Sequence, residues 1–168
     1  MDSNGLSKHV VKIRFVVHTM GLAGWDTSRN HWSIFLILEG ETSSVRLNMS
    51  LVDGGDENGT LTTSMHPYIQ SNSGLMYFDY NACANLTVGH CLGIIQQKGR
   101  HRYRMAGSGN GCRYWAWNIF LDFSRQGYIV LPENGESQFG QRIQTRYHRN
   151  AQGTINQIPD PMEMGEFF

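Results

Sequence analysis

The sequence predicts an α+β fold, an antiparallel sheet with two main helices, in a single domain over residues 1–168. Three patterns carry this. Residues 9–20 alternate apolar and polar side chains around Val11, Ile13, Phe15 and Val17, the period of a strand. Residues 31–38 and 45–51 are short apolar stretches separated by a turn, which reads as a hairpin. Residues 112–126 place Cys112, Trp115, Ala116, Ile119, Phe120 and Phe123 at the i, i+3, i+4, i+7, i+8, i+11 spacing of one helix face. A chain of 168 residues that is 40% hydrophobic is large enough to bury a core, and its 19 glycines suit a loop-containing domain.

The elements follow in order. After the first strand, residues 21–30 read as a loop punctuated by Gly21, Gly24 and Asp26. With Glu39-Gly40 as a two-residue turn, antiparallel partners have numbers summing to 79, so that His31 faces Asn48, Ser33 faces Arg46 and Phe35 faces Ser44. Trp32, Ile34, Leu36, Leu38, Val45, Leu47 and Met49 then share a core face, and His31, Ser33, Ser44, Arg46 and Asn48 share the other. Residues 53–58 form a turn cluster and 60–64 a short strand, whereas 67–84 mix aromatic with Ser, Asn and Gly residues and show no clear period. Thr87 is placed to cap a helix reaching Lys98, with Val88, Cys91, Leu92 and Ile95 on one stripe and Gly99 as its stop. Residues 100–105 read as a short strand, the glycine-rich loop 107–111 precedes the Cys112 helix, Gly127 ends that helix, and 128–131 form a strand. Residues 134–168 are a C-terminal extension, a mobile arm or a wrapped segment, whose Met162, Met164, Phe167 and Phe168 suggest docking.

A formal net charge of zero gives no long-range steering towards nucleic acid or an anionic membrane, and no apolar run is long enough to span a bilayer. Three cysteines, Cys83, Cys91 and Cys112, cannot all pair within one chain, and the first residues lack the pattern of a secretory signal. The expected setting is cytoplasmic, with free thiols. Two stretches, 98–104 and 146–149, interleave basic and aromatic residues as RNA-binding surfaces do. With balanced charge and no nucleic-acid motif they read as solvated surface. Cys83, His90 and Cys91 lack the spacing and the fourth ligand of a zinc site, so neither metal nor cofactor is expected.

The chemistry centres on Cys112. A helix N-terminus offers unpaired N–H groups and a partial positive charge, which favour a thiolate and can hold an oxyanion. An imidazole alongside would serve as general base or acid, with a side-chain amide fixing its tautomer. The stretch from Asn30-His31-Trp32, the return through Val45-Arg46-Leu47-Asn48-Met49, and Gly111-Cys112-Arg113-Tyr114-Trp115 resemble a group of small fungal proteins, from about residue 9 to the C-terminus. More distantly they resemble the circularly permuted papain-like proteins, of which lecithin-retinol acyltransferase-like enzymes are members. That second likeness covers only the His31–Asn48 hairpin and the Cys112 helix. It implies a papain-like, circularly permuted fold with Cys112 as nucleophile, His31 as base and Asn48 as orienting residue. The sequence departs from the acyltransferase pattern by carrying Arg46 and Arg113 near the expected site, where guanidinium groups could recognise a carboxylate or phosphate.

Two functions follow. One is a cysteine-dependent hydrolase or acyl/amide transferase acting on a small molecule or peptide by a thiolate–imidazole mechanism. The other is a non-covalent small-molecule binder, or a cyclase or isomerase of fungal secondary metabolism, with Arg46 or Arg113 orienting the ligand and Trp32, Tyr114 and Trp115 lining an aromatic pocket. Plainer readings stand beside both. Cys112 lies on the apolar stripe of its helix and suits a small buried hydrophobe. His31 and Asn48 suit a polar sheet face, the two arginines suit surface cations, and Tyr114, Trp115 and Trp117 suit packing.

Overall fold

The computed structural model describes residues 2–20, 30–52, 57–108 and 110–168. The elements run in chain order as α1 (Ser3–Leu6), β1 (Val10–Thr19), β2 (Asn30–Leu38), β3 (Ser44–Ser50), β4 (Asn58–His66), β5 (Gly74–Ala82) and α2 (Val88–Gln97). They continue as β6 (Tyr103–Arg104), α3 (Cys112–Arg125), β7 (Ile129–Val130), α4 (Gly135–Ile143), β8 (Thr145–Arg149), β9 (Ile155–Pro159) and β10 (Glu166–Phe167). This is an α+β domain. Eight strands form an antiparallel sheet in the order β10-β6-β4-β3-β2-β1-β5-β7, and β8 and β9 form a separate hairpin. The expected loop over 21–29, most of the 53–58 turn, and Gly109 lie outside the described residues.

β2 is central because its outward positions are apolar enough to be covered on both faces. Opposite β1, Trp32 pairs with Val17, Ile34 with Phe15 and Leu36 with Ile13, and all six are fully buried. On the other face, Ser33 pairs with Val16 and Phe35 with Arg14, and a second small cluster of Val16, Phe35 and Ile37 forms there. The hairpin keeps the expected faces but not the expected partners. Phe35 pairs with Arg46 and Ile37 with Ser44, so numbers sum to 81. The connection is wider than two residues: Leu38 N–H donates to Ser43 O, and Gly40 and Glu41 both have positive φ, 87° and 51°. A shift of two residues preserves the parity of every side chain, which is why the core face survives the error.

β5 falls in the stretch where no period was legible, yet it pairs along β1 from Lys12–Asn81 to Val17–Met76. Phe78 and Tyr80 point into the core. Tyr77, on the opposite face, lies beneath the Arg14 guanidinium at 5.0 Å, so an aromatic residue occupies a position where alternation calls for a polar one.

Helices α2, α3 and α4 contribute to the large core on the Trp32 face. Thr87 caps α2 as expected: its hydroxyl accepts from His90 N–H, and its own N–H donates to His90 Nδ1, both at 3.2 Å. Beyond the two expected helices, α4 brings Phe139 into the middle of the aromatic core. Phe139 is fully buried and sits 4.2 Å from Phe120 and 4.7 Å from Phe15 between ring centroids. The C-terminal stretch is thus wrapped, not free. Ile143 and Tyr147 are buried, β10 pairs with β6, and Phe167 packs on Tyr103 at 4.8 Å, while Met164 and Phe168 stay exposed. One buried ion pair ties these parts together. Arg100 Nε donates to Asp122 on α3 at 2.7 Å, and its guanidinium lies 4.5 Å from the Phe167 ring. No helix among the described residues is long and apolar enough to cross a membrane.

Candidate functional site

Cys112 is the first residue of α3, and Gly111 makes its position there attainable. Gly111 has φ of 137°, and a Cβ on it would come within 2.9 Å of the Tyr103 hydroxyl, which itself donates to Gly111 O at 2.9 Å. Only glycine fits both the conformation and the contact. The Cys112 thiol donates a long bond, 3.9 Å, to the carbonyl of Asn30 and packs against the helix-side core. Burial pushes its pKa up. The opposing pull of the Trp32 N–H, Arg113 and the amides of residues 112 and 113 is the smaller effect. At neutral pH the sulfur is therefore held as a thiol.

Around this thiol lies a polar cavity of about 190 Å³, lined by Asn30, Asn110, Gly111, Cys112, Arg113, Arg146, Asp160 and Glu163. Asn30 forms its back wall as an amide clamp: Oδ1 accepts from Tyr147 N–H and Nδ2 donates to Tyr147 O, both at 2.7 Å. Arg113 is committed to structure. Its Nη1 donates to Asp160 O at 2.6 Å and its Nη2 to Asp160 Oδ2 at 3.0 Å, fastening the C-terminal segment to α3. Glu163 accepts from Asn110 Nδ2 at 2.9 Å and from the Ser108 hydroxyl. Arg146 differs. Its Nε is buried without a hydrogen-bond partner, and among the described residues its guanidinium meets no carboxylate.

His31 and Asn48 meet elsewhere. His31 Nε2 lies 2.5 Å from Asn48 Oδ1, although the register sets the two diagonally. They occupy the face of β2 opposite Trp32, with Arg46, whose Nη2 donates to the same Asn48 oxygen at 3.2 Å. The expected partnership of Cys112 with His31 is not formed, because the sheet stands between them. Asn30 and Trp32 turn towards the helices with the thiol, and strand alternation sends His31 the other way. His31 faces His18, 5.8 Å away between rings. His18 is itself held between Ser73 at 2.8 Å and Ser33 at 2.6 Å. Burial lowers the pKa of His18 to about 3, and that of His31 falls for the same reason, with Arg46 adding to both.

The other residues expected to contact a ligand lie as follows. Trp32 is fully buried, stacked on Phe78 at 5.9 Å. Trp115 is fully buried and donates from Nε1 to Arg100 O at 2.8 Å. Tyr114 packs towards Phe167 at 6.1 Å. None of the three lines the cavity, whose wall is polar instead of aromatic. Arg46 and Arg113, both expected near the site, stand on opposite faces of the sheet. Arg146 was visible only as part of a basic and aromatic stretch that suits a solvated surface. It lines the cavity beside Asn30, which grips the backbone of its neighbour Tyr147.

The fold and the cavity define the class: an α+β domain whose helices cover one face of an antiparallel sheet and whose C-terminal segment closes a small polar cavity at the head of a helix. The chain matches, over residues 13–168, the family described as a domain of unknown function, DUF7770, and belongs to it. No curated protein and no solved structure matches the chain.

Proposed function

We propose that the protein binds, without covalent chemistry, a small molecule bearing a carboxylate or phosphate group in the cavity at the head of α3. One observation carries this reading: Arg146 presents a guanidinium with a buried, unpartnered Nε to a cavity whose other charges are already engaged. Arg146 is half-buried and meets no carboxylate among the described residues, so its N–H donors can take an incoming oxyanion in pairs. The amides at the start of α3 add a favourable dipole at the same place. Asn30 and Asn110 would fix orientation.

The test is calorimetric titration and thermal shift with a panel of small mono- and dicarboxylates, phosphate esters and peptides with free C-termini. Saturable binding that weakens at least tenfold in Arg146→Met, and survives in Cys112→Ala, is the expected result. Equal binding by Arg146→Met overturns the reading.

A second reading keeps Cys112 as the nucleophile of a hydrolase or acyl/amide transferase, and the thiol's place in the cavity wall favours it. Iodoacetamide labelling of Cys112 in the native protein at pH 7, at a rate above that of a free thiol, would support that reading; labelling only on unfolding would end it. The papain-like arrangement belongs to the same proposal, and its support is a cysteine-headed helix on β2 and a His31–Asn48 contact across the hairpin. The fungal relationship rests on the sequence resemblance alone. With Cys83, Cys91 and Cys112 all free, we place the protein in a reducing, cytoplasmic setting.

A further inference from the structure

The face of the sheet opposite Trp32 carries a different set of groups around its small apolar cluster. Two arginines stand on it, and they are treated differently. Arg14 is saturated: Nε and Nη2 grip the two oxygens of Asp79 at 2.7 and 2.8 Å, and Nη1 donates to Ile69 O at 2.7 Å. Arg46, half-buried in the middle of β3, has one side-chain hydrogen bond among the described residues, the 3.2 Å contact to Asn48, and its Nε is buried with no partner there. Among the described residues no carboxylate pairs with it. Imidazoles face it instead: His18 from β1, His31 from β2 and His66 from β4, each with its pKa lowered in part by this guanidinium. The guanidinium is thus a fixed positive charge among imidazoles whose own pKa values are lowered.

The same place has an aromatic wall. Phe35 lies under Arg46 at 5.9 Å and is buried; His66 stacks on Tyr68 at 4.7 Å, and Tyr68 is 40% exposed. Ser64, opposite Arg46 on β4, holds His66 through a 2.8 Å hydrogen bond.

We propose that this face is a second ligand site, for a small aromatic molecule carrying a carboxylate or phosphate group. Arg46 takes the anion in fork geometry, and His66 and Tyr68 offer a surface on which its ring stacks. The site shares no residue with the cavity at α3, so it stands or falls independently of the function proposed there.

The experiment is NMR titration of the full chain with benzoate, phenyl phosphate, acetate and inorganic phosphate, reading the ring signals of His31 and His66. Saturable shifts are expected with benzoate or phenyl phosphate, at least tenfold tighter than with acetate or inorganic phosphate. Binding should weaken at least tenfold in Arg46→Gln and stay unchanged in Arg149→Gln, an exposed arginine on the β8–β9 hairpin. Whether benzoate or phenyl phosphate binds more tightly assigns the anionic group. Equal affinity for the aromatic and simple anions, shifts that never saturate, or an Arg46→Gln protein that binds normally would each overturn the proposal. If Arg46→Gln does not fold, Arg46→Lys replaces it: the charge remains and the fork is lost, so unchanged affinity there also refutes the site.

Discussion

The two faces of the sheet are built on opposite principles. The helix-side face is a packed aromatic core in which Phe15, Trp32, Phe78, Phe120 and Phe139 have ring contacts with one another and are almost wholly excluded from solvent. The opposite face has only a small apolar cluster of Val16, Phe35 and Ile37 and is otherwise laid out in hydrogen bonds: Ser73–His18–Ser33, His31–Asn48–Ser50, Ser64–His66. One face obtains stability from apolar area and shape, the other arranges titratable groups at fixed spacing. The lesson is that strand alternation, which makes both possible, also keeps them apart: residues adjacent in sequence, such as His31 and Trp32, serve different faces.

The sharpest way to break the contrast is to damage the packed face. Phe139→Ala empties the centre of the aromatic core and should cost about 3–5 kcal/mol in urea unfolding. A loss below about 1 kcal/mol would show that α4 does not stabilise the sheet. Next comes the ion pair at the edge of that core. Arg100→Met strands the buried Asp122 carboxylate and should cost about 3 kcal/mol, whereas the double variant Arg100→Met/Asp122→Leu should recover a large part of it. Recovery of nothing would mean the pair matters chiefly through the Phe167 contact.

The face opposite Trp32 should instead show itself through pH. His18 has a folded pKa of about 3, below the ordinary 6.5, so between those values the unfolded chain binds a proton that the folded one does not. Its contribution is therefore intact above about pH 6.5 and declines as pH falls, by up to about 1.4 kcal/mol per pH unit, with His31 acting in the same direction. Denaturant titrations from pH 7 to 4 should show this slope, and His18→Gln should flatten it. An unchanged slope would place the acid sensitivity elsewhere. The smallest effect belongs to the cap of α2, where Thr87→Ala should cost about 1 kcal/mol in urea unfolding at pH 7.

Much of this architecture was legible because helices and strands announce themselves by period. The α3 stripe, the Thr87 cap and the face assignment of β2 and β3 all follow from spacing alone. The hairpin register was not legible, since a turn with two positive-φ residues, one of them Glu41, carries no strong sequence mark. β5 was hidden because Tyr77 covers Arg14 on the outer face and blurs the alternation. The candidate site was legible only in halves. The hairpin arithmetic brought His31 and Asn48 together, and helix logic put Cys112 at the head of α3. Whether those halves share a face depends on which side α3 packs, and that is decided by Trp115, Ala116 and Ile119 docking on the Trp32 side. Arg146 was beyond reach, because its environment is assembled from segments more than a hundred residues apart.

That last separation sets an order of assembly. Asn30 grips Tyr147 across 117 positions, and Arg146, Asp160 and Glu163 supply the outer wall of the cavity from the end of the chain. As the polypeptide leaves the ribosome, the sheet from β1 to β5 can pair while these residues are still unmade. The pocket is thus among the last parts of the molecule to be completed, and a chain cut short after α4 would keep its central strands yet lack the wall that Arg146, Asp160 and Glu163 supply.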